Sequence, residues 1–145
     1  STVLSVLLQF AVHLAVIVYT VAYTKRFLPP DYLPDDPDSP FAPTLINSSV
    51  FLVSCAMQVS SFLVNYRGHP FMQSLVENKG LLGSLAALSA AMWLGALEVL
   101  PNWNAFFELV PFPSSEFRFT LVALMAGDLV ATFILDRLIS LIFGK

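Results

Sequence analysis

The sequence predicts an all-α, polytopic membrane protein with four transmembrane helices, and three observations carry that prediction. Of its 145 residues 57% are hydrophobic and only 12% charged, against about 25% charged in an ordinary soluble domain. A soluble chain this short leaves roughly a third of its unfolded surface in water, and this one, with a mean hydropathy of +0.75, lacks the charge to cover it. Finally, its apolar runs reach the length of a bilayer core and are separated by Pro, Gly and charged clusters.

The first helix is expected over residues 3–24, closed by Lys25 and Arg26. Its length carries it across about 30 Å of hydrocarbon. A stretch holding Pro29, Pro30, Pro34, Pro37, Pro40 and Pro43 follows; it can form neither helix nor sheet interior and reads as an extended loop on the water side. The second helix is expected over 48–66 with Asn47 as N-cap, stopped by Arg67-Gly68-His69-Pro70. A polar turn with Glu77, Asn78 and Lys79 leads to the third helix, over 81–98. Glu98 and Pro101 end it, and Trp103, Phe106, Phe107 and Phe112 suit a headgroup boundary. The fourth helix is expected over 115–143, with Glu116 in its first turn.

Four crossings put both chain ends on one side. Arg67, Lys79, Arg137 and Lys145 fall on that side, against Lys25, Arg26 and Arg118 on the other, so the positive-inside rule places the middle turn in the cytosol. Asn47-Ser48-Ser49 matches a glycosylation sequon, but lies at a helix mouth where enzyme access is poor. The chain enters an apolar helix with no initiator Met and no basic flank, which suggests that Ser1 is an internal position of something longer.

Polar residues recur at helical spacing on these apolar runs. Ser5, Gln9 and His13 share a face of the first helix, and Ser54, Gln58, Ser61 and Asn65 form a stripe on the second. Asp128 falls near the centre of the last helix, with Asp136 two turns further on. Such groups are expensive against lipid and must turn toward protein or water. Gln9, His13, Gln58, Asn65 and Asp128 are therefore the candidates for a polar cavity or for helix–helix hydrogen bonding, and the sequence leaves both roles open. Gly83, Ala87, Ala91 and Gly95 form a small-residue ladder suited to close helix packing.

Several function classes are excluded. The formal charge of −3 without a basic cluster argues against a nucleic-acid partner. Cys55 is alone, so there is no disulfide framework or thiolate metal cluster. No phosphate loop, HExxH pair or Cys/His metal spacing is present, and His13 and His69 belong to different parts of the topology. No catalytic, cofactor-binding or metal-binding residue is assigned within this chain.

The stretches Leu8–His13 and Phe41–Ser48, the run NYRGHPFMQSLVENK from Asn65 to Lys79, Asp128 and the Asp136-Arg137-Leu138 ending resemble the C-terminal membrane region of the type V P-type ATPases, A branch. His69 before Pro70 is a local departure in the turn. The resemblance implies transmembrane segments 7 through 10 of a P-type membrane domain, resident in the endoplasmic reticulum membrane. It implies a parent protein that uses ATP and magnesium, through an aspartyl-phosphate, to extract or reorient mislocalised transmembrane helices. The cytosolic ATPase domains and the remaining membrane helices would be this segment's partners, together with the bilayer and the helix substrates. The substrate pocket would lie mainly in those other helices, which makes Gln58 and Asp128 support residues. Two other readings stay open from the residues alone: a noncatalytic four-helix interaction module, and part of a cation transporter in which Asp128, Gln58 and His13 line a path.

Overall fold

The computed structural model describes residues 2–33 and 36–144; Ser1, Pro34 and Lys145, named above for the chain start, the loop and the charge count, lie outside them. The described residues contain α1 (Thr2–Lys25), α2 (Leu45–Asn65), α3 (Lys79–Ala96), α4 (Pro101–Phe106) and α5 (Ser115–Phe143). All but α4 are long and apolar enough to cross a membrane. At 1.5 Å per residue α5 is about 43 Å long, more than a hydrocarbon core needs.

The helix ends follow from capping chemistry. The N-cap of α2 is Thr44, not Asn47: Thr44 is extended at φ −124°, ψ 161°, and its Oγ1 accepts from the Asn47 backbone N–H. A cap residue must itself stay outside the helix to reach back in this way, and Asn47 is already in the first turn. The helix consequently starts three residues before the expected position. Asn78 caps α3 by accepting from Leu81 N at 3.1 Å, and Ser114 caps α5 by accepting from Phe117 N at 3.2 Å. At the far end of α5, Gly144 adopts the left-handed conformation that terminates helices. The aromatic loop contains α4, which composition alone did not indicate. Pro101 sits at its start, where the missing N–H is no loss, and Asn104 Nδ2 donates to the Gly95 carbonyl, tying α4 back onto the end of α3.

The turn between α2 and α3 is held by its own residues. A Cβ at Gly68 would stand 3.0 Å from Ser74 Cα, so any other residue here would push the turn's backbone apart by a few tenths of an ångström. Tyr66 donates its hydroxyl proton to the Gln73 carbonyl, and His69 pairs with Glu77 at 2.9 Å. Glu77 in turn accepts from Ser74 N while its own N–H donates to Ser74 Oγ.

α1, α2 and α5 pack on one another as a three-helix core, and α3 leans chiefly on α2. That core is divided lengthwise. Toward the α4 end it is mostly hydrocarbon: Leu45, Leu52, Val53, Phe117, Leu121 and Met125 are buried, Tyr23, Phe27, Phe112 and Phe117 stack ring on ring, and the buried hydroxyls of Thr20, Thr24, Ser48 and Ser49 lie among them. Toward the other end Ser5, Gln9, His13, Ser60, Asp128, Thr132 and Asp136 are buried beside Val59, Val64 and Ile139. The outer faces carry Phe10, Leu14, Val18, Phe133, Leu141 and Ile142, all exposed, so the bundle presents apolar side chains to its surroundings.

The small-residue ladder of α3 does not act as one packing surface. Gly95 is buried against Leu52 and Leu109, whereas Gly83 has nothing within 4 Å and Ala87 and Ala91 are exposed. Only the last turn of α3 comes close enough to the bundle for a small side chain to matter.

Candidate functional site

In α1, four-residue spacing stacks Ser5, Gln9 and His13 on the face toward α2 and α5. The same spacing stacks Ser61 and Asn65 on α2, and Asp128, Thr132 and Asp136 on α5. Where the three faces meet, these groups join in a hydrogen-bonded chain running from mid-bundle to the α2–α3 turn.

At the deep end, His13 Nδ1 lies 2.6 Å from Asp128 Oδ1, and His13 Nε2 lies 3.0 Å from Ser61 Oγ. The two atoms share one hydrogen, carried by Nδ1 or by the carboxyl according to the His13 tautomer. Asp128 is 1% exposed, and its Oδ2 has no hydrogen-bond partner among the described residues. One turn away, Gln9 and Asn65 exchange amide bonds: Asn65 Nδ2 donates to Gln9 Oε1 at 2.8 Å and Gln9 Nε2 donates to Asn65 Oδ1 at 3.2 Å. Gln9 Nε2 also donates to Ser5 Oγ, and Ser5 donates to Asp136 Oδ1 at 2.9 Å. Arg67, at the start of the turn, closes the series 3.5 Å from the same Asp136 oxygen. A side branch joins Ser60 and Thr132 at 2.8 Å, with Thr132 donating to the Asp128 carbonyl.

Of the five candidates read from the sequence, the structure brings together Gln9, His13, Asn65 and Asp128. Gln58 stands apart: it is exposed, in a groove of about 870 Å³ between α1 and α2. Phe10, Leu14, Met57 and Phe62 make that groove largely apolar, while His13, Ser61, Ser54 and Gln58 supply its polar spots. Ser60, Thr132 and Arg67 belong to the network without having been assigned to it from sequence. The Asp128-Thr132-Asp136 spacing is the signal that points to Thr132; Arg67 enters only because the turn folds back onto α5.

The Ser61–His13–Asp128 series has the connectivity of a nucleophile, base and orienting acid. Ser61 sits inside α2, however, where the neighbouring backbone N–H groups are spent on the helix. An oxyanion would find no backbone donor there. Among the described residues no three His, Cys, Asp or Glu side chains converge. The arrangement is suited to fixing three helices in one register at membrane depth, because Ser5, Gln9, His13, Ser60 and Asp128 each bond to a side chain on another helix.

Comparison with known proteins gives this geometry its setting. No family model matches the sequence. The chain is 37% identical over 97% of its length to an endoplasmic reticulum transmembrane helix translocase, spfA, of Aspergillus fumigatus. It is 34% identical over 96% to the protein of that name from Schizosaccharomyces pombe, and 39% identical over 76% to a probable manganese-transporting ATPase of Arabidopsis thaliana. It spans 11%, 11% and 9% of their respective lengths. With four helices long and apolar enough to span a membrane and two of these relatives matched along nearly its whole length, the chain belongs to the type V P-type ATPases, and its membrane is that of the endoplasmic reticulum.

Proposed function

We propose that these helices are the fixed support of an ATP-driven pump that extracts or reorients transmembrane helices. The observation that carries this reading is the buried polar chain from Arg67 to Asp128, which ties α1, α2 and α5 to one another. Sliding or rotating one of these helices would break several bonds between buried partners at once, so the bundle resists relative motion. A rigid wall of that kind lets movements elsewhere become directed work.

In this reading ATP and magnesium act in cytosolic domains outside this chain, through an aspartyl-phosphate formed there. Rotation of those domains alternates access to a cavity in the other membrane helices. The groove between α1 and α2 is where one of those helices docks, with Gln58 and Ser54 giving its side chains hydrogen-bond partners that lipid cannot supply. Two relatives, from Arabidopsis thaliana and Caenorhabditis elegans, carry names that describe manganese or cation transport, so the test must separate the two cargoes.

The test uses the full-length protein in proteoliposomes, with ATP hydrolysis and removal of a tail-anchored helix measured side by side. Asp128→Asn is expected to lower both in proportion to the folded fraction, with no change in cation dependence. A well-folded Asp128→Asn protein whose activation by manganese or calcium is shifted would reject the support role and place Asp128 on an ion path.

A further inference from the structure

A second cavity, of about 430 Å³, lies between α2, α3 and α4 and takes no part in the polar network. It exists because α3 meets the bundle closely only near Gly95, while its preceding turns stand away from α2. Phe51 and Cys55 form one wall, Leu88 and Ala91 another, and Trp103 and Phe107 the end. Its volume falls within the range of small-ligand sites, roughly 300–1,000 Å³.

The occupant follows from chemistry and position. Asn104, the Trp103 indole N–H and the Cys55 thiol are the polar groups among the described lining residues, and one Asn104 amide hydrogen is already given to the Gly95 carbonyl. Buried water needs roughly two to four polar partners, so walls that are otherwise hydrocarbon favour an apolar occupant. Leu88, Leu94, Phe51 and Phe107 are each about two-fifths exposed or more, so the walls continue directly into the exposed apolar surface of helices long and apolar enough to span a membrane. α4 has no buried residue, and its Trp103, Phe106 and Phe107 rings pack on one another with centroids 5.2 to 6.4 Å apart. A ring cluster of this kind marks the headgroup level. The cavity therefore opens into hydrocarbon and ends at the membrane boundary.

We propose that this cavity is a lipid site that holds one acyl chain of a phospholipid, drawn from the leaflet on the α4 side. The chain fills the space that α3 leaves against α2 and supplies the dispersion contacts that an empty gap lacks. α3 is thereby held to the bundle through lipid over the turns where protein contact is missing. This inference needs only the membrane setting and is independent of whether the parent moves helices or ions.

The experiment reconstitutes the full-length protein with phosphatidylcholine carrying a photoreactive diazirine on its acyl chain, then maps adducts by mass spectrometry. Labelling of Cys55 and the Leu88–Gly95 segment is expected to exceed that of the outward-facing Leu141–Phe143 stretch severalfold. Ala91→Phe, which plugs the cavity, is expected to abolish the Cys55 adduct and leave Leu141–Phe143 unchanged. Equal labelling of the two regions overturns the site, because it describes ordinary surface lipid. Absence of label at Cys55 and Ala91 also overturns it, since another part of the protein then fills the space. Should Ala91→Phe not fold, alkylation of Cys55 in the unsubstituted protein decides the matter: its rate rises when phospholipid is stripped by detergent, and an unchanged rate refutes the proposal.

Discussion

His13 on α1 and Asp128 on α5, 115 positions apart in sequence, meet through a 2.6 Å contact between Nδ1 and Oδ1 in the middle of the bundle. Removing one partner leaves the other buried without its main polar contact, which in protein interiors costs about 1–3 kcal/mol. Removing both leaves a change of packing and the loss of the Ser61 contact with His13. His13→Leu and Asp128→Leu should each lower unfolding stability in detergent by an amount of that order, and the double variant should recover most of the loss. Urea or thermal unfolding of all three proteins measures the coupling. Additive single effects would show that the pair does not hold α1 to α5.

Arg67 and Asp136 test the other end of the network. The Arg67 side chain is 49% exposed and Asp136 only 3%, at a separation of 3.5 Å. An ion pair with one partner in solvent contributes about 0–1 kcal/mol and weakens with salt. Arg67→Gln should therefore be mild, and milder still at high ionic strength. Asp136→Leu should be distinctly worse, because it also removes the acceptor for Ser5, which is fully buried. Comparable losses for the two variants would mean that the exposed end of the chain matters more than its buried part.

The four spans were legible because hydrophobic length and Pro-rich breaks report directly on a bilayer. Polar spacing likewise placed Gln9, His13, Asn65 and Asp128 on helix faces that had to be covered. Spacing within a helix does not say which helix faces it. Nothing local to α1 indicates that His13 meets Asp128, or that Gln58 is left in a groove while Asn65, seven residues on, is paired. The ladder of α3 was misleading for the same reason: small residues permit close approach, but only Gly95 receives it. The short α4 was hidden because its six residues make sense only once Asn104 has Gly95 to bond.

The sequon at Asn47 offers a test of the α2 entrance. Asn47 is exposed, but the third residue of the sequon, Ser49, is fully buried and donates its hydroxyl to the Leu45 carbonyl. Ser48 is also buried, accepting from Val110 N at 2.8 Å. A folded acceptor site cannot present this segment in the extended form that modification requires. The full-length protein should show no change in gel mobility at this site on endoglycosidase treatment or on Asn47→Gln substitution. A glycan found on Asn47 would mean that α2 starts later than Leu45 while the chain is being inserted.

Gly83 and Gly95 are both glycines of α3, and the structure gives them opposite tolerances. A Cβ at Gly95 meets Leu109 Cδ1 at 3.4 Å and Leu52 Cδ2 at 3.6 Å, with Asn104 Oδ1 at 3.8 Å. A methyl group would meet these neighbours in ordinary van der Waals contact, and a larger branched side chain would run into them. Gly95→Leu should cost about 1–3 kcal/mol as an overpacked contact and should displace α4, whose anchor is the Gly95 carbonyl. Gly83 has open space on its side of the helix, so Gly83→Leu should be neutral or slightly stabilising, because glycine disfavours a helix interior by roughly 1 kcal/mol relative to better formers. Unfolding of the two full-length variants in detergent provides the comparison. If Gly83→Leu proves as damaging as Gly95→Leu, the first turns of α3 pack against another part of the protein instead of lipid.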